Sequence, residues 1–136
     1  MSDYEAIQRV IARYTDAINR RDFAVLDEVF APDGVWNVDA GDGRVFRFEG
    51  PQIRAGISGL VGNSAFTVQL ASLPVIEIDG DRARSRCMLF ETLEQPAIGA
   101  RFQNFGLYED ELSKLDGRWV FQSRRFTMKN SRKTPL

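Results

Sequence analysis

The sequence contains no histidine. That absence removes the commonest general base, the commonest metal ligand and every serine–histidine or cysteine–histidine nucleophile. Cysteine is almost absent too: Cys87 alone excludes an internal disulfide and fits a reducing compartment. One thiol among scattered carboxylates makes no metal site, so no metal is expected. No apolar run approaches the roughly eighteen residues of a membrane span, and Met1-Ser2-Asp3-Tyr4-Glu5 lacks the basic start and apolar stretch of a signal peptide. The expectation is a cytoplasmic protein that engages no membrane. An excess of one charge is missing as well, with 19 acidic against 18 basic residues, which argues against a nucleic-acid partner.

What is present is a chain of 136 residues, 43% hydrophobic, long enough for one domain that buries about two-thirds of its unfolded surface. Ser2 and Glu5 form a capping box, followed by Ile7, Val10, Ile11, Tyr14, Ala17 and Ile18 at helical spacing to about residue 20. Asp22 suits the N-cap of a second, shorter helix over Phe23–Phe30, which Pro32-Asp33-Gly34 ends. From Val35 the period becomes two, with a hairpin around Gly41-Asp42-Gly43. Pro51 opens a third helix, closed by Gly62-Asn63. The rest reads as strands over about 65–78, 82–94, 101–114 and 118–128, with bends expected at Ser72 to Pro74 and at Gly106.

Helices first and antiparallel strands after predict an α+β fold: a curved antiparallel sheet covered on one face by helices, which together enclose a cone. Residues 1–128 form the domain. Residues 129–136 read as a basic, flexible tail, since Arg124 to Leu136 holds five cations and no acid.

The element order α-α-β-β-α-β-β-β-β carries four local signatures. They are Tyr14-x-x-Ala17-x-x-x-x-Asp22-x-x-x-Leu26-x-x-x-Phe30-x-x-Asp33, then Gly50-Pro51, then Ile76-x-Ile78-Asp79-Gly80-Asp81-x-Ala83, and finally Tyr108-x-Asp110 leading to Asp116-Gly117-x-Trp119. Across almost the whole chain this resembles the SnoaL-like branch of the nuclear transport factor 2-like superfamily, a cystatin-like roll. The resemblance implies a pocket for one small apolar molecule and a homodimer. It is less informative about activity, because the fold hosts isomerases, dehydratases, dehydrochlorinases, cyclases and proteins with no chemistry.

Set against those relatives, Tyr14 stands where ketosteroid isomerase has its oxyanion-stabilising tyrosine, although it equally fits the apolar stripe of the first helix. The isomerase base would fall at Val38, which cannot serve. In the dehydratases and dehydrochlorinases an aspartate at the place of Asp22 pairs with a histidine; here that place holds Val68 or Gln69, and an amide cannot take a proton. Asp22 is then either a base without its partner or a helix cap. Arg124 matches an arginine that supports leaving-group or oxyanion charge, with Arg125 on the opposite strand face. Trp36, Gln69, Asn104, Tyr108 and Asp110 complete the candidate pocket.

In the run 82–91, Ala83, Ser85, Cys87, Leu89 and Glu91 occupy one face, which suits the pocket. Arg82, Arg84, Arg86, Met88 and Phe90 occupy the other, which is either solvated or a dimer face. Two functions remain. One is a cofactor-independent lyase or isomerase on a small aromatic or polyketide-like compound, with Asp22, Tyr14 and Arg124 as the catalytic candidates. The other is a non-catalytic ligand-binding or accessory dimeric domain. An epoxide hydrolase finds no clean counterpart among Arg84, Arg86 and Asp110.

Overall fold

The Ser2 hydroxyl accepts from the Glu5 backbone and the Glu5 carboxylate accepts from the Ser2 backbone, so the expected capping box starts helix α1, Asp3–Arg20, in a computed structural model that describes residues 1–136. The apolar stripe Ile7, Val10, Ile11, Tyr14, Ala17 and Ile18 is buried along its length. Arg21 ends the helix in the left-handed region, φ 57°, and its amide bonds back to Ala17 and Ile18 carbonyls.

The second helix is much shorter than the sequence suggests. A 3₁₀ turn, Phe23–Val25, leads into a single helical turn α2, Leu26–Val29. Asp22 makes no side-chain cap bond, which corrects the capping role expected of it. Strand β1, Phe30–Asp39, begins inside the segment read as helix and stop signal. Phe30 already pairs with Phe121, and an irregularity between Phe30 and Val35 absorbs Pro32-Asp33-Gly34. β2, Val45–Glu49, completes the hairpin with β1, and α3, Gln52–Val61, follows Pro51 as expected.

The run read as one strand over 65–78 is two, β3 Phe66–Ala71 and β4 Val75–Asp79, and both pair with β5, Arg82–Gln95. Ser72-Leu73-Pro74 makes the break. The Ser72 amide still donates to the Met88 carbonyl, while its hydroxyl accepts from the Met88 amide in place of a backbone partner. β6, Ala100–Leu115, and β7, Arg118–Pro135, form the longest hairpin. At Gly106 the register slips as expected, and only glycine fits there, since a Cβ would run into the Phe126 ring.

Together the strands make one curved seven-stranded sheet in the order β2-β1-β7-β6-β5-β3, with β4 also on β5. The sheet is mixed rather than wholly antiparallel, because β1 and β7 run parallel, with Trp36 opposite Arg124. β7 also runs seven residues past the expected end of the domain: Lys133 pairs with Phe102 and Pro135 with Ala100, so the basic segment is strand. Helices cover one face, and the core lies between them and the sheet. No helix is long and apolar enough to cross a membrane.

Candidate functional site

Alternation along β5 sets up the site. Ala83, Ser85, Cys87 and Leu89 are buried toward the helices, while Arg82, Arg84, Arg86 and Met88 are exposed on the outer face. Glu91 stays in phase with the inner set. Cross-strand register then places Gln69 on β3 and Asn104 on β6 opposite Glu91, and Ser131 on β7 opposite Asn104. The four form one polar row across the inner face. Gln69 rather than Val68 faces inward and is 5% exposed; the Asn19 side chain holds the Gln69 backbone by both its N–H (2.7 Å) and its carbonyl (2.9 Å).

This row forms one wall of a chamber of about 130 Å³. Tyr14, Trp36, Tyr108 and Phe126 supply aromatic walls, and aliphatic side chains from α1, α3 and β1 close the rest. A wider, open recess of about 720 Å³ lies beside it, between the β1–β2 hairpin, the end of α3 and the outer half of β7, and shares Leu60, Leu93, Asn104 and Met128 with the chamber. The inner space is about the size of a single ring-sized group, below the usual several hundred Å³ of a complete ligand site.

Glu91 is the one acidic residue lining the chamber. Burial pushes its carboxyl up to about 7, with hydrogen bonding from Asn104 pulling the other way. Ser131 Oγ in turn donates to Asn104 Oδ1 at 2.6 Å. Gln69 Oε1, Thr67 Oγ1 and Trp36 Nε1 are buried without a partner.

A second polar group lies behind the aromatic wall. Arg124 is wholly buried, its guanidinium stacked on Tyr108 at 3.7 Å, on Tyr14 at 4.2 Å and on Phe121 at 4.6 Å. It pairs with Asp110 at 3.1 Å, and the Ser85 hydroxyl donates to the other Asp110 oxygen at 2.7 Å. Burial pushes the Asp110 carboxyl up while Arg124 and Ser85 pull it down. The Tyr108 hydroxyl donates to the Tyr14 hydroxyl at 3.3 Å, and burial raises both phenols above their ordinary range.

Of the residues singled out from sequence, the structure brings Tyr14, Trp36, Gln69, Asn104 and Tyr108 to one chamber. Arg124 and Asp110 are buried behind its wall and do not line it. Arg125 points to the outer face, as strand alternation requires. Asp22 is exposed at the start of the 3₁₀ turn and is not part of the chamber. Glu91 lines the chamber and is not among the residues singled out from sequence. Its signal was available: it is the single acidic residue on the inner face of the 82–91 alternation.

The architecture is that of an α+β roll whose sheet and helices enclose one small, mostly apolar chamber with a polar row. The chain belongs to the SnoaL-like domain family, which matches residues 1–125, within the nuclear transport factor 2-like superfamily. An uncharacterised protein of Mycobacterium tuberculosis is 29% identical over 120 residues, covering 88% of this chain and 80% of that protein. Among solved structures, a hexachlorocyclohexane dehydrochlorinase of Novosphingobium barchaimii superposes with a TM-score of 0.83 at 18% identity, covering 98% of this chain and 89% of the other. A protein of Novosphingobium aromaticivorans assigned as a scytalone dehydratase gives 0.82 at 18%, covering 98% and 89%. At these identities the structural likeness is one of fold.

Proposed function

We propose that the protein is a cofactor-independent lyase or isomerase that moves a proton on a small, largely apolar ring compound, with Glu91 as the proton carrier. The observation that supports this is a single carboxyl group, at about 7, lining an aromatic-walled chamber. A carboxyl near neutrality is present in both forms and so can take a proton and return it. In the proposed step the Glu91 carboxylate removes a proton from a carbon next to a carbonyl. The C–H electron pair forms a carbon–carbon double bond as the carbonyl π pair passes to the oxygen, which the Tyr14 hydroxyl meets. Return of the proton at another carbon is isomerisation; expulsion of a β-substituent is elimination. Arg124 does not touch the substrate in this scheme; it holds the Tyr14 and Tyr108 rings.

The test uses 2-tetralone in heavy water, with exchange of its activated C–H followed by proton NMR. The wild type should accelerate exchange, and more so as pH rises through about 7 and the carboxylate forms. Glu91→Gln should abolish the acceleration, and Tyr14→Phe should reduce it roughly 10²-fold. Binding of ring ketones without exchange in any of them would favour the second reading, a ligand-binding domain without chemistry.

The partner proposed is a second copy of the chain, in the cytoplasm. On the outer sheet face Leu70, Met88 and Phe105 are 62%, 47% and 48% exposed. Beside them Arg84 faces Glu111, and Arg86 faces Glu109, which in turn faces Arg125. Such alternating charge is self-complementary about a two-fold axis. Sedimentation should find a dimer that Phe105→Glu dissociates; a wild-type monomer would end this part of the proposal.

A further inference from the structure

Ser131 lies beyond the span that matches the family, on the part of β7 that continues past residue 125. It nevertheless occupies the last place in the row Gln69, Glu91, Asn104, Ser131 that crosses four strands in register. We propose that Ser131 is a positioning residue for the chamber: its hydroxyl holds the Asn104 carbonyl, so that the Asn104 amide hydrogens face the Glu91 carboxyl.

Donors and acceptors decide which way the amide points. An asparagine amide has a donor end and an acceptor end, and a carboxylate can only accept. Glu91 and Ser131 flank Asn104 on adjacent strands, so each end of the amide has one neighbour. Asn104 is 6% exposed, which leaves little water to serve either end. If the N–H end serves Glu91, the carbonyl end needs a donor at position 131, and the Ser131 hydroxyl supplies it at 2.6 Å. With alanine at 131 the carbonyl has no partner, the amide gains nothing from its present orientation, and the ionised form of Glu91 loses support.

The other ionisable groups facing Glu91 are few. Tyr14 comes from α1 and Tyr108 from β6, with Arg124 of β7 behind both rings. The side chains that α3, β1, β3 and β7 bring to the chamber carry no ionisable group. The Asn104–Ser131 pair is therefore the polar support for Glu91 on the β6 side, built from a segment that the sequence pattern assigned to a loose tail.

The inference rests on Glu91 as proton carrier only for its consequence in turnover, and its first readout needs no substrate. Carbon-13 NMR of labelled glutamate carboxyls follows the Glu91 titration in the intact protein. Ser131→Ala should move the midpoint up by about half to one unit. Ser131→Thr, which keeps the hydroxyl, should leave it where it is. Ser131 is exposed near the end of β7, so neither change disturbs the core. A Ser131→Ala midpoint equal to the wild type or below it, or a Ser131→Thr midpoint displaced as far as that of Ser131→Ala, would overturn the proposal. If Glu91→Gln retains exchange of 2-tetralone while Ser131→Ala still shifts the titration, the catalytic reading fails and the positioning role stands.

Discussion

Two sets of buried polar side chains lie on either side of the tyrosine rings in this fold, and they differ in how their charges are paired. Behind the tyrosines, Arg124 and Asp110 are dry and paired at 3.1 Å, with the guanidinium stacked on aromatic faces. In front of them Glu91 has amides and phenols for company but no cation, and its carboxyl is pushed up to about 7. A paired charge stays charged and organises its surroundings, whereas an unpaired one responds to pH. The first set is accordingly fixed in charge, and the second titrates.

The largest expected effect strikes the paired set. Arg124→Met should cost about 3–5 kcal/mol of unfolding free energy in denaturant titrations, because Asp110 is left buried without its cation. Adding Asp110→Leu should recover much of that loss; if the double variant is as unstable as the single one, the tyrosine stacking rather than the ion pair is what matters.

Glu91→Gln should act with the opposite sign. Its carboxyl sits at about 7 in the fold against 4.5 unperturbed, so the folded state holds the proton more tightly and wild-type stability falls as pH rises between those values. Above the window the variant should gain up to about 3 kcal/mol on the wild type relative to their difference at low pH. Parallel stability–pH curves for the two proteins would erase the contrast between the two sets.

Tyr14→Phe keeps the ring that covers Arg124 and removes only the acceptor for Tyr108, so about 1 kcal/mol is expected by thermal or chemical denaturation. Asp22→Ala should change stability by less than about 0.5 kcal/mol, since its side chain is exposed and caps nothing. A loss of 1 kcal/mol or more would restore the capping role.

The sequence pattern conveyed the long elements because their signals are local: the capping box, the apolar stripe of α1, and the two-residue alternation that turns Cys87 inward and Arg86 outward. It failed where tertiary pairing overrides local preference. Phe23–Phe30 has helical spacing, but Phe30 is drawn into the sheet by Phe121, and Lys129 to Pro135 looks like a solvated end yet finds β6 as a partner. The chamber followed the same division. Tyr14, Trp36, Gln69, Asn104 and Tyr108 could be proposed from faces and likeness to relatives, whereas Glu91, an acid on the pocket face of 82–91, gains weight once strand register shows that it has no cation opposite.

The parallel pairing of β1 with β7 has a consequence for how the chain acquires its shape. Trp36 reaches its final neighbour only when Arg124 is in place, so one wall of the chamber cannot be closed by any growing chain that lacks its last hairpin. Such a long-range closure is entropically slow, and during synthesis the first hairpin waits, one edge unpaired, for β7 to emerge.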